Sequence, residues 1–288
     1  MKQLKITDVR ELPGDSAFLI DDGTTAILYD SGFAFTGYRV ADKIKAILGS
    51  RELNYIFLTH SHYDHALGSV YVSKYWPKAK VVAGEYASKI FAKDTAKALM
   101  RELDGKFAKH CGVDAYEDLI DDLKVDITVS DGDVIEAGDL KFKVLNLPGH
   151  TRCSVGFYCA AHRLLLSCET IGVYDGNGGV IPSYLVGYQM TMDSIERVKQ
   201  LDIRNILVPH YGLLDENETQ VYLNAAEISA IETADEMVSM LKGGKCKTEI
   251  IAAFEKKFYN DYVQSIYPRD AMELNTGITV DLLQKEFL

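Results

Sequence analysis

The sequence predicts an α/β protein, in which strands and helices alternate through two successive halves that are followed by a helical tail. Three observations support this fold class. Short apolar runs, rich in β-branched and aromatic residues, are bounded by turn residues such as Asp22-Gly23. Segments with apolar residues at helical spacing separate several of these runs. Beyond about residue 214, only the helical pattern remains.

The first half begins with three short strands, in LKITDVREL, SAFLID and TAILYD, and a helix over 38–48. A buried-type strand, NYIFLT at 54–59, then leads into a cluster of histidines. A helix that ends before Pro77 and a strand at 80–84 follow. Residues 85–123 are charged and mostly helical in pattern, so we interpret them as a helical insertion between two β-rich halves.

The second half carries further strands, in VDITVS, DVIEAG, LKFKVLNL, SVGFYCA, RLLLSC and finally NILVPH. A Gly- and Tyr-rich loop at 172–189 precedes a helix at 191–201. We therefore expect one domain over 1–212 and a C-terminal helical extension over 213–288 that packs on it. The insertion and the extension could together cover a site as a lid.

Composition limits the classes of partner. The 288 residues are 47% hydrophobic and 25% charged, which is typical of a globular protein with a sizeable core. A formal net charge of −11 argues against nucleic acid and anionic membranes as partners. The five cysteines form no C-x-x-C pair, and no apolar run is long enough for a signal peptide or a membrane span. These features predict a cytoplasmic protein.

The segment Thr59-His60-Ser61-His62-Tyr63-Asp64-His65 places three histidines within six residues, directly after a predicted buried strand. Because side chains alternate along a strand, His60 and His62 can point to the same side. A turn at 63–64 would bring Asp64 and His65 back toward the same point. Neutral imidazole and carboxylate are the ligands that borderline divalent metals prefer. The cluster therefore predicts a metal site rather than a solvated polar loop.

Three more candidate ligands follow later strands. His150 comes after LKFKVLNL in Pro148-Gly149-His150, and His210 comes after NILVP. Between them, Glu169 follows RLLLSC. The carboxyl ends of strands are where α/β folds place their sites. His110 and His162 lie in no such context, and we expect both to be surface residues.

These motifs, in this order, resemble the metallo-β-lactamase superfamily, and especially its thioesterase-type hydrolases such as glyoxalase II. The resemblance covers roughly residues 4–212 and implies an αββα sandwich, with 1–212 as the catalytic domain. It also implies that His60, His62 and His150 hold one metal, and that Asp64, His65 and His210 hold a second. Glu169 would bridge the two metals, in a position where most family members have Asp.

The resemblance implies an enzyme in which a hydroxide that bridges two divalent metals cleaves an ester or thioester of a small molecule. Zinc is the preferred metal, with iron or manganese as alternatives. Asp64 and Glu169 are the candidate catalytic residues, since Asp64 could also orient the attacking water. Tyrosines near Glu169 and His210 are candidates for a substrate pocket, namely Tyr174, Tyr184, Tyr188 and Tyr211.

Two other classes remain open. A diiron redox protein of the same fold is disfavoured because this chain keeps His62 where such proteins typically carry glutamate. A metal-binding regulatory protein with little catalysis is the other alternative. The acidic charge disfavours the phosphodiester and tRNA-processing hydrolases of the superfamily. The helical extension could also support a homodimer.

Overall fold

The computed structural model describes residues 4–288, so the first three residues of the predicted 1–212 domain lie outside the described residues. The described chain divides into two compact units. The first contains residues 4–146 and 155–162, and the second contains 147–154 and 163–288. Within residues 4–288, no helix combines the length and the apolar character needed to cross a membrane.

A six-stranded sheet organises the first unit, with its strands in chain order. The strands are β1 Lys5–Asp8, β2 Phe18–Asp21, β3 Ala26–Tyr29, β4 Tyr55–Leu58, β5 Lys80–Gly84 and β6 Ile127–Val129. The first two pairings are antiparallel, and the pairings from β3 to β6 are parallel. Strand β3 is buried along its whole length, as expected for a strand within such a sheet.

Helices provide the crossovers between the parallel strands of the first unit. They are α1 Gly37–Leu48, α2 Tyr63–Ala66, α3 Gly68–Tyr75, α4 Glu85–Phe91 and α5 Asp94–His110. Three antiparallel strands complete this unit, namely β7 Val134–Ala137, β8 Leu140–Asn146 and β9 Val155–Cys159.

The segment 85–123, predicted as a mostly helical insertion, is helical over α4 and α5 but not over 111–119. Helix α5 ends at His110, and Gly112 shortly after it adopts a left-handed φ of 77°. Only Ile120–Asp122 forms a further turn, of 3₁₀ type. The ring of Phe107 in α5 stacks on Phe33 with centroids 4.5 Å apart, so α5 contributes to the core of this unit.

The second unit contains a small sheet in which β13 pairs in parallel with β10 and antiparallel with β14. Its strands are β10 Leu164–Leu166, β13 Asn205–Val208 and β14 Gly212–Leu214, and a separate ribbon joins β11 Val173–Tyr174 to β12 Val180–Ile181. Helix α6 spans Tyr188–Lys199. Four helices form the predicted helical tail, namely α7 Glu216–Lys242, α8 Lys247–Phe258, α9 Asp261–Ile266 and α10 Arg269–Phe287.

Candidate metal centre

In the first unit, four of the predicted ligands lie close together just beyond β4. His60 and His65 are fully buried, Asp64 is buried and His62 is half-buried. The ring centroid of His60 lies 4.6 Å from that of His62 and 4.1 Å from that of His65. The proposed turn at 63–64 is the start of the short helix α2, which carries Asp64 and His65 back beside His60.

Asp30 is a residue of this site that the sequence reasoning missed. Its Oδ2 atom lies 2.8 Å from Nδ1 of His65, at which distance the carboxylate oxygen accepts a hydrogen bond from an Nδ1–H. Its Oδ1 atom accepts a hydrogen bond of 2.9 Å from the backbone N–H of Thr59, and the Thr59 hydroxyl also donates to the carboxylate. Oγ1 of Thr59 in turn lies 3.0 Å from Nδ1 of His60. One buried carboxylate therefore orients two histidine rings, directly and through Thr59.

The sequence contains a feature from which Asp30 could have been predicted as a residue of the site. It follows the apolar strand β3, which runs parallel to β4, so the carboxyl ends of both strands lie at the same edge of the sheet. Asp30 also has a positive φ of 49°, a conformation that aspartate tolerates better than most residues. Such backbone outliers are concentrated at functional sites.

In the second unit, His150, Glu169 and His210 form a second cluster of candidate ligands. All three are buried, and Glu169 lies between the two histidines. Its Oε2 atom is 2.9 Å from Nε2 of His150, and its Oε1 atom is 3.5 Å from Nε2 of His210. The carboxylate, which is one methylene longer than aspartate, therefore reaches both imidazoles.

Close packing fixes His150 in this cluster. Gly149 has a φ of 146°, and a Cβ there would lie only 2.1 Å from Oγ1 of Thr191, so only glycine fits before His150. Nδ1 of His150 lies 2.7 Å from Oγ of Ser183 and 3.2 Å from its carbonyl oxygen. Because Nδ1 is engaged in this way, Nε2 would be the nitrogen that binds a metal.

Residues of the helical tail hold the other two members. The hydroxyl of Tyr267 donates a hydrogen bond to Oε1 of Glu169, and the Tyr267 ring lies edge-on to His210 with centroids 5.6 Å apart. The hydroxyl of Tyr262 donates to the carbonyl oxygen of His210 at 2.9 Å. His210 itself has a left-handed φ of 62°. No motif in the sequence marked either tyrosine.

The other residues named from the sequence belong to neither ligand cluster. His110 is exposed and His162 is half-buried. Of the four tyrosines singled out for a substrate pocket, Tyr184 is fully buried in the core of the second unit. The Tyr174 ring packs on that of Tyr211, with centroids 4.3 Å apart.

The donor chemistry of each cluster fits a divalent metal. Each combines buried imidazoles with a carboxylate, and Nδ1 of His60, His65 and His150 is held by an oxygen atom. Within each unit these side chains offer ligand atoms that lie close together. In the first unit a ligand atom of His60 lies within 4.8 Å of one of His62, and in the second unit a ligand atom of His150 lies within 4.8 Å of one of Glu169. Such outer hydrogen bonds orient metal-binding histidines and fix their tautomers.

Comparison with known proteins matches most of this chain to a family. A family model described as the Metallo-beta-lactamase superfamily matches residues 13–210. Acyl-coenzyme A thioesterase MBLAC2 from Gallus gallus is 26% identical over 163 residues, which cover 54% of this chain and 55% of that protein. Hydroxyacylglutathione hydrolase from Ectopseudomonas mendocina is 29% identical over 123 residues, covering 43% and 35%. The chain thus spans about a third to a half of the length of these curated relatives.

Solved structures agree on the fold. An archaeal metallo-beta-lactamase superfamily protein from Sulfolobus tokodaii matches with a TM-score of 0.58 at 21% identity, covering 78% of this chain and 86% of that chain. The flavodiiron protein from Giardia intestinalis matches with a TM-score of 0.54 at 12% identity, covering 77% and 54%. At these identities the likeness concerns the fold alone. It confirms the predicted fold class, and the helical character of the C-terminal region is confirmed as well.

Proposed function

Because this chain belongs to the metallo-β-lactamase superfamily, we propose that it is a dimetal hydrolase that cleaves an ester or thioester of a small molecule. The observation that carries the proposal is the geometry of Glu169 between His150 and His210, with one carboxylate oxygen facing each imidazole. A carboxylate held in this way is suited to link two metal ions. The histidine cluster of the first unit would supply the remaining donors.

We assign the seven ligands as the family resemblance implies. His60, His62 and His150 would hold one metal, and Asp64, His65 and His210 would hold the other. Glu169 would be shared by both ions. The set is rich in imidazole, which favours zinc, while the carboxylates of Asp64 and Glu169 also suit iron or manganese.

Two divalent ions bound there would supply Lewis acidity, which activates water near neutral pH and stabilises negative charge on the substrate oxygen. The protein side chains would orient the reaction. Asp30 keeps the Nδ1 proton on His65, so that His65 presents Nε2, and Thr59 does the same for His60. Asp64, whose Oδ2 atom lies 3.7 Å from Nε2 of His65, would orient the attacking water and accept its proton.

An ester or thioester substrate is supported by the two curated relatives, whose names are those of an acyl-coenzyme A thioesterase and a hydroxyacylglutathione hydrolase. The metal-dependent mechanism requires no serine or cysteine nucleophile. Cys168, which precedes Glu169, is fully buried two residues beyond the end of β10, in keeping with a packing role.

Elemental analysis of protein purified without chelators or added metal, combined with an ester and thioester screen, tests the proposal. We expect about two zinc ions per chain and turnover that chelation abolishes. His60→Ala should lose both metal and turnover, whereas His110→Ala, at an exposed histidine of α5, should keep both. Protein that binds no metal even when it is supplied would contradict the dimetal site. Two bound iron ions with no hydrolysis would instead support a redox protein.

A further inference from the structure

The first unit contains an open groove between helix α3 and the segment 122–124. The groove has a volume of about 370 Å³. Sites for small organic molecules typically occupy roughly 300 to 1,000 Å³, so the groove is large enough for such a ligand. The described residues that line it include none of the seven proposed metal ligands. The groove is therefore separate from the proposed metal centre, and its own lining decides what it can bind.

The base of the groove is apolar. Val70 of α3 and Val81 of β5 are buried there, and Pro77, which follows α3, completes the apolar part of the lining. Ser69 also lines the groove, but its hydroxyl donates a hydrogen bond of 2.6 Å to the carbonyl oxygen of Ala66. The base therefore suits the apolar body of a ligand rather than a polar group.

Two exposed lysines lie above this base. Nζ of Lys74 is 2.9 Å from Oδ2 of Asp122, which also lines the groove. Nζ of Lys124 is 3.1 Å from Oδ1 of Asp126. Ion pairs between exposed side chains are weak, so an anion in the groove can share the two lysines with these aspartates at little cost.

The surroundings of the groove are positive, although the whole chain has a formal net charge of −11. The segments 74–81 and 122–126 together carry four lysines and two aspartates. Burial alone would raise the pKa of Asp126, but hydrogen bonds from the backbone and from Lys124, together with the charge of Lys80, hold that pKa below its ordinary value. The lysines thus create a local positive potential that attracts anions.

We propose that this groove is a binding site for a small organic anion, with the anionic group held by Lys74 and Lys124 and the apolar body lying on the base. Lysine ammonium groups attract carboxylate and phosphate alike, because each acts as a compact point charge. The ligand class is therefore a carboxylate or a phosphate attached to an apolar body. Binding in the groove requires no metal and no turnover, so the proposal goes beyond the proposed hydrolase and does not depend on it.

The test follows the backbone amide NMR signals of the full chain during titration with three probes, namely 2-naphthoate, 2-naphthyl phosphate and the uncharged 2-naphthamide. The two anions should shift the amide signals of Val70, Ser73 and Lys124, with dissociation constants of about 1 mM or below. 2-Naphthamide has the same apolar body and should bind at least about fivefold more weakly. Rising salt concentration should weaken the binding of the anions but not that of the amide. The anion that binds more tightly identifies the preferred anionic group.

Substitutions of the lysines test their role directly. Lys74→Gln and Lys124→Gln should each weaken the binding of 2-naphthoate about two- to fivefold and leave that of 2-naphthamide unchanged. Lys89→Gln is the matched control, because Lys89 is also an exposed lysine paired with a carboxylate, that of Glu85, but does not line the groove. It should bind both probes as the wild type does. Ser73→Phe, at a half-buried residue of the lining, should fill the groove and abolish the binding of all three probes.

Equal affinity for 2-naphthoate and 2-naphthamide would overturn the proposal. Shifts confined to amides beside His65 or Glu169 would also overturn it, because they would place the anion at the metal centre. The same conclusion would follow from binding that chelation abolishes and the lysine substitutions leave unchanged. An intact titration of the groove without any ester hydrolysis would contradict the proposed hydrolase alone. Hydrolysis without shifts at the groove would contradict the anion site alone.

Discussion

The hydroxyl of Tyr267 donates a hydrogen bond to Oε1 of Glu169 across 98 residues of sequence. Tyr267 lies between helices α9 and α10, so the C-terminal helices contribute directly to the ligand cluster of the second unit. The same tyrosine packs edge-on against His210. The helical tail therefore orients the proposed bridging carboxylate and one of its neighbouring histidines.

Tyr267→Phe should weaken metal binding while leaving the fold intact. Loss of the hydroxyl frees Glu169 to adopt other rotamers, and the loss of such an outer hydrogen bond typically costs about 10- to 100-fold in metal affinity. Metal content after dialysis against graded chelator concentrations measures the effect. Tyr38→Phe is the control, because the Tyr38 hydroxyl also donates to a carboxylate, that of Glu117, on the surface of the first unit. Equal metal retention by the two variants would argue against a role for Tyr267 in holding Glu169.

The strands that precede the predicted ligands could be identified from the sequence because each is a short apolar run that ends in a polar residue. The run at 54–59 corresponds to β4, and NILVPH corresponds to β13. The local pattern of residues suffices to predict these strands, because the burial of a strand depends mainly on its own side chains. The helical pattern beyond residue 214 likewise predicted the C-terminal extension, in which the first turn of α7 is fixed by a capping box between Asp215 and Glu218.

The residues that support the ligands could not be predicted in the same way. Ser183 and Tyr267 reach His150 and Glu169 from loops far along the chain, and no local spacing encodes such a contact. The prediction of helix over 111–119 is wrong for a different reason. The spacing of Ala115 and Leu119 suits a helix, but α5 ends at His110 and the left-handed φ of Gly112 prevents the helix from continuing.

Asp30→Asn should lower the free energy of unfolding by about 3 kcal/mol, because it disrupts a buried network of hydrogen bonds. The two oxygens of Asp30 accept from Ser16, Thr59 and His65, and an amide NH₂ in place of either oxygen would face a donor. Asparagine tolerates the positive φ at this position, so the backbone is not the cause. Urea denaturation measures the change.

Asp215→Asn is the matched control for this substitution. Asp215 caps helix α7 by accepting a hydrogen bond of 2.9 Å from the backbone N–H of Glu218. Asparagine serves equally well as an N-cap, so the free energy of unfolding should change by only about 0.3 kcal/mol. If Asp30→Asn were as mild as this control, the carboxylate would not be essential to the network.

The stability of the first unit should depend on pH through Asp104. Burial raises the pKa of this carboxyl to about 7, even though hydrogen bonds from Tyr116 and from the backbone of Ala34 lower it. In the unfolded chain the group titrates near about 3.9. Between these two values the folded protein keeps a proton that the unfolded chain loses, so the free energy of unfolding falls as the pH rises.

Asp104→Asn, which stays neutral at every pH, should therefore gain stability relative to the wild type as the pH is raised. From pH 5 to pH 8 the difference in unfolding free energy should grow by about 3 kcal/mol, as measured by urea denaturation at each pH. In Tyr116→Phe the pKa of Asp104 should rise further, since a hydrogen bond that lowers it is lost. The loss of stability should then extend to higher pH. Parallel pH profiles for the wild type and Asp104→Asn would show that burial does not hold the proton.

Glu169→Asp should reduce metal content, although aspartate is the residue that most family members carry at this position. The shorter side chain would withdraw the carboxylate from His150, His210 and Tyr267, all of which are placed for glutamate. Because Tyr267 acts through Glu169, adding Tyr267→Phe to Glu169→Asp should cause little further loss. Elemental analysis of the two single variants and the double variant measures this coupling. Losses that multiply would mean that Tyr267 acts independently of Glu169, whereas full metal retention in Glu169→Asp would mean that the longer carboxylate is not required.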